Sequence, residues 1–328
     1  MGRYVRAVLR DLAFRPAIEL TLLVRDPGAA AAYHALVGQR VAVAVLRAAG
    51  HKRAFDRVWY PWNGMRFAAA APALVTINDD FAFAYPARGF IARRREQSPI
   101  RRAIRRAARF ATISHWSRDA LVARFGVARE RFTVIPLAPD PIFRPGPETS
   151  PCGEPFVLAV GSGDARKNVA FLVAAMEDAF PHRGVRLVLV GAPDAALTRR
   201  LRAARIPVET LARVDDTALR RLYRTAAVVA VPSLAEGFGL VAAEAQACGA
   251  AVLAANTSAL PEAVGDAGLT ADPCDVNAWS GLLRLLVDDA AVRAGYGRLG
   301  AARWAGASAE STTDALLAAL ERSGDDGS

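Results

Sequence analysis

The sequence predicts an α/β protein built as two parallel-sheet domains, and three observations carry that prediction. Short apolar or β-branched runs alternate with longer helical patterns along the chain, the rhythm of parallel sheets covered by helices. A length of 328 residues suits about two domains of ordinary size. Between the two alternating halves, residues 136–155 (PLAPDPIFRPGPETSPCGEP) hold seven prolines and two glycines, a composition that breaks regular structure and marks a hinge. With 53% hydrophobic and 23% charged residues, the chain is globular, and disordered, collagenous and coiled-coil classes are excluded.

Strand candidates in the first half are ELTLLV (19–24), RVWYP (57–61), ALVTI (73–77), RFATI (109–113) and RFTVI (131–135), with helical patterns filling most gaps. The second half repeats the rhythm with PFVLAV (155–160), RLVLV (186–190), AAVVAV (226–231) and AAVLAA (250–255), separated by helical segments such as 169–180 and 216–225. The expected division is residues 1–138, a hinge over 139–154, and residues 155–328, the last helix returning toward the first domain. Ligands of open α/β sheets bind beyond the carboxyl ends of the strands, so two such domains in tandem are expected to hold a substrate in the cleft between them. No window reaches about 18 uncharged apolar residues, and the arginine-bearing start MGRYVRAVLRDL fits neither a spanning helix nor a signal peptide. The expected location is therefore cytoplasmic. Cys152, Cys248 and Cys274 lie far apart without CxxC spacing and read as reduced, packed thiols.

Charge is uneven. Residues 1–150 hold 25 Lys+Arg against 11 Asp+Glu, whereas residues 151–328 hold 17 against 21. One lobe thus faces something anionic: a membrane surface, nucleic acid or a phosphorylated substrate. Only Lys52 and Lys167 among the 42 cationic residues are lysines, which singles out Lys167.

The densest chemical signal is VPSLAEGFGLVAAEAQACGAAVLA, a buried strand running into Glu236, Gly237, Phe238 and Gly239, then a helix from about Leu240. Glycines on both sides of Phe238 permit a tight turn and leave amide N–H groups at a helix N-terminus, a seat for a phosphate or a sugar hydroxyl. Glu244 follows Glu236 after seven residues. If the segment is largely helical, about 12 Å separates the two carboxylates, more than the roughly 5–9.5 Å of a glycosidase pair, which argues against a hydrolase. That reach suits the two ends of an elongated ligand, one carboxylate on sugar hydroxyls and the other on ribose. Equally open is an ordinary strand, glycine turn and amphipathic helix with solvated glutamates.

In FVLAVGSGDARKNVAFLVAAM a strand ends at Val160, a polar loop carries Arg166, Lys167 and Asn168, and a helix begins near Val169. Gly161 and Gly163 lack the third glycine of a dinucleotide fingerprint, and no GxxxxGK[ST] is present, so a different phosphate cradle is implied. The plain alternative is a solvated lysine at a helix start. A cation there is slightly unfavourable against the helix dipole, which favours a role for it.

These segments closely resemble the family 4 retaining glycosyltransferases of the GT-B fold. VGSGDARKN is similar to that family's phosphate-binding loop and EGFGLVAAE to its E-x7-E motif. RVDDTALRRLYRTAAVVAVPS and SALPEAVGDAGLTADPCD resemble flanking family segments, and ATISHWSRDALVARFGVARERFTVIPLAPDPIF resembles the end of the first domain and its hinge. The resemblance implies two Rossmann-like domains facing across a cleft, the N-terminal one on the acceptor side and the C-terminal one on the donor side. It implies transfer of a mannose- or glucose-type hexose from a GDP- or UDP-linked sugar to a glycan or lipid-linked acceptor, with retention and without metal or other cofactor. In that reading Lys167 holds the donor diphosphate and Glu236 contacts the transferred hexose. Gly161, Ser162, Arg166 and Asn168 belong to the phosphate loop, the backbone of Phe238, Gly239 and Leu240 lines sugar and phosphate, and Glu244 binds ribose. The sequence holds no D-x-D, and His34, His51, His115 and His182 are isolated, consistent with metal-independent chemistry.

Three departures stand out. Where the family carries a hexose-positioning histidine after the strand matching ALVTI, this chain has Asn78, followed by Asp79 and Asp80, so Asn78 and Asp79 are candidate sugar or acceptor contacts. A second basic residue of the loop is Ser162 here, with Arg166 close enough to compensate. The chain starts at MGRYVR where the family has a strand and a glycine-rich loop, so the N-terminal sheet is expected to lack its first strand, exposing an edge beside the donor phosphates. These departures keep open a degenerate, non-catalytic nucleotide-binding homologue or partner subunit.

The arginines of the first lobe form a pattern of their own. Over residues 100–111, Arg101, Arg102, Arg105, Arg106 and Arg109 fall on one side of an expected amphipathic helix whose apolar side packs on the first sheet. With Arg88, Arg93, Arg94 and Arg95 they make nine arginines within 22 residues. Such a patch suits an anionic membrane face, each charge giving about 1 kcal/mol. Nucleic acid is not expected, because only Phe90 and Phe110 interleave for stacking.

Overall fold

The computed structural model describes residues 3–24, 26, 28–37, 41–45, 55–67, 71–107, 109–147, 154–161 and 163–323. The chain divides into two compact units, residues 1–138 with 308–328, and residues 139–307.

In the first unit, α1 (Arg3–Phe14), β1 (Thr21–Val24), α2 (Ala29–Val37) and β2 (Ala42–Val45) lead to β3 (Val58–Tyr60) and β4 (Ala73–Thr76). Then come α3 (Phe81–Ala84), α4 (Phe90–Arg106), β5 (Arg109–Thr112), α5 (His115–Phe125) and β6 (Phe132–Val134). The sheet comes in two parallel pieces, β1-β2 and β3-β4-β5-β6. Among the described residues, no ladder joins β1 to β3, and the first described element is a helix. Side chains bridge the two pieces: Trp59 of β3 packs against the cluster of Val5, Leu9, Val37 and Val41 as well as against the one that holds Leu74 and Ile135. Sequence dictates the sharp ends of α5. Ser114 accepts the Ser117 N–H at its start, and Gly126 adopts φ 63° at its end, a backbone state that glycine reaches without strain.

One expectation for this unit, the extent of the basic helix, is corrected at both ends. The basic helix does not run through Arg109; Ala107 is already extended (ψ 141°), and Arg109 opens β5 beside Leu74. The demand of the β5 ladder overrides the helical period there, and the helix instead reaches back to Phe90, tolerating Pro99 in its interior.

The second unit is one six-stranded parallel sheet. β7 (Phe156–Val160), α6 (Val169–Ala179), β8 (Arg186–Val190), α7 (Ala195–Arg202), β9 (Val208–Leu211), α8 (Asp216–Thr225) and β10 (Val228–Val231) are followed by α9 (Leu240–Ala247), β11 (Val252–Ala255), α10 (Leu260–Val264), β12 (Leu269–Ala271), α11 (Val276–Asp288) and α12 (Ala290–Trp304). A last helix, α13 (Ala309–Arg322), belongs to the first unit, where Thr312 Oγ1 donates to the Pro136 carbonyl. The strand order β12-β11-β10-β7-β8-β9 is doubly wound, with its topological switch between β7 and β10. The central strands β7, β8, β10 and β11, buried on both faces, read as apolar runs and fall where the sequence predicts them, whereas the edge strands β9 and β12 are partly exposed. Aspartate caps at Asp194, Asp215, Asp275 and Asp289 start α7, α8, α11 and α12, each worth about 1 kcal/mol. From Pro139 on, the proline-rich segment is part of this unit, and the buried Arg224 donates to the carbonyls of Arg144 and Pro145.

The thiols differ from expectation. Cys248 is buried but Cys274 is exposed, and Cys152 lies outside the described residues.

Candidate functional site

The loops that leave β7 and β10 emerge on either side of the switch point, where an open α/β sheet binds its ligand. After β7, Gly161 turns with φ +91°, and its N–H donates to the Val190 carbonyl at 2.7 Å. A Cβ on Gly161 would lie 3.2 Å from Cε of Lys167, so the glycine leaves room for the lysine stem to lie across the loop. A single 3-10 turn, Ala165–Lys167, is capped by Asp164, and Asn168 enters α6 in the left-handed region (φ 53°), its Nδ2 donating to the Pro273 carbonyl at 3.0 Å. Ser162 lies outside the described residues.

After β10, Glu236 is held at three points. Its Oε1 accepts from Ser233 Oγ at 2.8 Å and from Lys167 Nζ at 2.6 Å, and its own N–H donates to Ser258 Oγ at 2.8 Å. The Leu234 N–H donates to the Arg166 carbonyl at 2.7 Å, which ties the two loops together through the backbone as well. Lys167 and Glu236 thus form an ion pair across 69 residues of sequence, their side chains 24% and 17% exposed. The two residues assigned the chemistry are neighbours, neutralising one another while keeping access to solvent.

Gly239 (φ +99°) is the N-cap of α9, and a Cβ there would sit 3.0 Å from Leu260 Cδ2 and 3.1 Å from Ala263 Cβ, so any larger residue is strained and crowds both side chains. No side chain caps α9 at this residue, which leaves its first amides, from Leu240 on, for a ligand. The Phe238 side chain is buried edge-on against Trp304, so only its backbone can face a ligand.

Two expectations are corrected, and a third, the ribose contact of Glu244, gains a condition. Residues 236–239 are not helical, so helical rise does not set the separation of Glu236 and Glu244. Glu244 is only 2% exposed and accepts from Tyr223 Oη at 3.2 Å, so a ribose would have to share or displace that hydroxyl. Arg166 is no free substitute for the basic residue missing at Ser162, because its guanidinium is engaged by Asp164. Burial alone would raise the Asp164 carboxyl, but the hydrogen bonds and charge of Arg166 outweigh it and hold the group below the usual carboxylate range.

Asn78 and Asp79 follow β4 in the first unit. The Asn78 N–H donates to Asn63 Oδ1 at 2.8 Å, and the Asn78 side chain is buried with its Oδ1 unpartnered among the described residues. Asp79 Oδ1 accepts the Phe81 N–H at 3.0 Å. Ser233, Ser258 and Tyr223 are supporting residues that sequence reasoning missed. Ser233, three residues before Glu236, was findable from local spacing; Ser258 and Tyr223 arrive from other elements and leave no local signal. Among the described residues, no group of three His, Cys, Asp or Glu could hold a metal ion.

Residues 154–289 match the family described as Glycosyl transferases group 1. The O-antigen chain mannosyltransferase B of Escherichia coli is 35% identical over 195 residues, covering 54% of this chain and 51% of that protein. The D-inositol 3-phosphate glycosyltransferase of Corynebacterium glutamicum is 42% identical over 127 residues, 36% of this chain and 30% of that one. The chain thus spans about half or less of the length of these relatives. HepE of Anabaena in complex with UDP superposes with a TM-score of 0.75 at 18% identity, covering 98% of this chain and 96% of that one. The fold is GT-B, two Rossmann-like parallel-sheet domains, and the matched residues 154–289 contain the Lys167–Glu236 pair.

Proposed function

We propose that the protein is a retaining hexosyltransferase that moves a mannose- or glucose-type sugar from a GDP- or UDP-linked donor to a glycan or lipid-linked acceptor at the inner face of the cell membrane. The Lys167–Glu236 pair at the switch point carries this reading. In the reaction, the bond from the anomeric carbon to the β-phosphate oxygen breaks, its electron pair leaving with the nucleoside diphosphate. An acceptor hydroxyl oxygen bonds to that carbon on the same face, and its proton passes to the departing phosphate oxygen. Negative charge grows on the diphosphate, and Lys167 with the N-terminus of α9 supplies compensating positive charge, the preorganised electrostatic work that usually dominates such catalysis. The reading asks for no metal and no other cofactor.

Donor binding transfers the lysine from carboxylate to phosphate and releases Glu236 to accept hydroxyls of the hexose. Gly161, Ser162 and Asn168 shape the phosphate loop, Glu244 takes the ribose, and Asn78 with Asp79 serves the sugar or the acceptor. The mannosyltransferase relative supports the sugar class and an envelope polysaccharide as product.

The test is a thermal-shift screen against GDP, UDP, ADP and their sugar conjugates, followed by measurement of nucleoside diphosphate release with the donor that binds. A shift with one nucleotide that disappears in Lys167→Ala, with transfer lost in Glu236→Ala, is the expected result. Full transfer in both variants would overturn the site assignment. Nucleotide binding without transfer to any acceptor would return the chain to the non-catalytic alternative.

A further inference from the structure

The glycine turn that opens α9 is held from behind by α12, a helix that carries none of the site residues described above. Glycines bring the two helices close: a Cβ on Gly297 would lie 2.4 Å from the Gly249 carbonyl oxygen, and one on Gly300 would lie 3.0 Å from Gln246 Cβ. The last two residues of α12, Arg303 and Trp304, then fasten the elements around the turn. Arg303 donates to the carbonyls of Ala263 at 3.2 Å and Glu262 at 2.8 Å on α10, and its guanidinium lies over the Trp304 ring at 5.6 Å. Trp304 Nε1 donates to Gln246 Oε1 at 2.9 Å, and Gln246 Nε2 donates to the Val264 carbonyl at 3.0 Å, so a fully buried amide joins α9, α10 and α12.

These links converge on residues 238 and 239. The Phe238 ring meets the Trp304 ring at 6.3 Å and 72°, and Leu260 and Ala263 of α10 close off the space at Gly239. A comparison of two tryptophans separates burial from positioning. Trp279 is fully buried, and its Nε1 has no partner among the described residues, so it serves the core by apolar area. Trp304 is half-buried and borders an open groove of about 480 Å³, yet its N–H is fastened to a buried acceptor. An indole left partly in solvent but fixed at its polar edge contributes direction more than area.

We propose that Trp304 is a positioning residue for the donor: through the Phe238 ring and the Gln246 amide it fixes the backbone of Phe238, Gly239 and Leu240 where the β-phosphate and the hexose bind. The proposal rests on the donor reading of this turn for its purpose, and on the packing of α12 alone for its mechanism. Glu244 is held separately by Tyr223, and Lys167 by Glu236, so loosening the turn leaves the ribose and lysine contacts in place. Removing the indole N–H strands the buried Gln246 Oε1 without a donor and frees the amide to turn. A seat displaced by about 1 Å costs on the order of 100-fold in rate.

The test uses the purified full chain and two variants: Trp304→Phe, which keeps a ring against Phe238 but removes the N–H, and Trp304→Ala, which removes both. Amide hydrogen exchange read by mass spectrometry without ligand should quicken in peptides covering residues 236–243 and stay unchanged in those covering β7 and β8. Calorimetric titration should show GDP or UDP bound roughly 10-fold more weakly by Trp304→Phe, and more weakly still by Trp304→Ala. Binding of the matching nucleoside monophosphate, which lacks the β-phosphate, should not change. Leu299→Ser, an exposed position on the same helix, should behave as the parent in both measurements. Unchanged exchange at 236–243 in both variants would overturn the proposal. So would faster exchange throughout the second unit with mono- and diphosphate binding weakened alike, the signature of a merely structural tryptophan. A parent protein that binds none of GDP, UDP and ADP would overturn the donor reading and the donor role of Trp304 with it. That failure is distinguishable from the others, because the exchange result is obtained without any nucleotide.

Discussion

Neutralising Glu236 should tighten the grip on a nucleoside diphosphate while ending transfer. Lys167 Nζ lies 2.6 Å from Glu236 Oε1, so a phosphate can take the lysine only by displacing that carboxylate or by sitting beside it. The gross Coulomb attraction at that distance is about 6 kcal/mol at an effective dielectric near 20. With the side chains 24% and 17% exposed, solvation and side-chain entropy reduce the net to about 1 kcal/mol. Glu236→Gln keeps the shape and the acceptor for Ser233 Oγ but removes the competing charge. The expected gain is therefore about 1 kcal/mol, or fivefold tighter binding of GDP or UDP without its sugar. Lys167→Ala removes a charge-assisted bond to phosphate worth about 2–3 kcal/mol, so binding should weaken roughly 30- to 150-fold. Calorimetric titration of both variants with the free nucleoside diphosphate measures the two effects, and thermal melts without ligand should change by no more than about 1 kcal/mol in stability. If Glu236→Gln weakens diphosphate binding as much as Lys167→Ala does, the carboxylate is part of the phosphate site and the exchange of partners is refuted.

Other parts of the second unit give predictions of the same kind. Gly239→Ala places a methyl 3.0 Å from Leu260 Cδ2 at φ +99° and should cost about 1–3 kcal/mol, read as a lower denaturation midpoint, with weaker nucleotide binding because the start of α9 shifts. Arg224→Ala leaves the Arg144 and Pro145 carbonyls without a donor and should cost about 2–4 kcal/mol, a fall in Tm of several degrees. Burial pushes the Cys248 thiol up to about 12, with Arg224 opposing and Glu244 adding, so iodoacetamide should label Cys274 and spare Cys248 in the native protein, as peptide mass mapping would show. Since that raised pKa favours the neutral thiol, its contribution to stability is complete below about pH 8.5 and is lost as pH rises toward 12, which alkaline melts of Cys248→Ala against the parent would detect.

The second unit is the more legible because its four central strands lie buried between two helical layers and stand out as apolar runs with turn residues at their ends, while the partly exposed edge strands β9 and β12 carry no such signal. The helix 216–225 was likewise visible, from Asp215 at its cap to Ala226, where β10 takes over. The first unit resisted for identifiable reasons. Arg109 satisfies a helical arginine stripe and also the first position of β5, and only pairing with Leu74 decides between them. Cys274 looked like a core thiol by residue type, yet it follows Asp272 in a surface turn whose carboxylate accepts its N–H. Asn63, which holds the Asn78 backbone, is 15 residues upstream in a loop with no periodicity to read.

The candidate site shows why motif spacing and site geometry are different kinds of information. Glu236 and Glu244 are eight positions apart, yet they occupy different environments: one shares a proton-donor shell of serine and lysine near solvent, and the other is sealed against Tyr223. Lys167 is 69 residues from Glu236, yet it is the direct contact. The cause is the winding of the sheet. A chain that runs outward through β7, β8 and β9 and returns to the other side of β7 at β10 must bring the loops after β7 and β10 together, whatever their distance in sequence. Any insertion confined to the β8–β9 connection therefore leaves the Lys167–Glu236 contact in place, whereas a change that separates β7 from β10 dismantles it even with both side chains present.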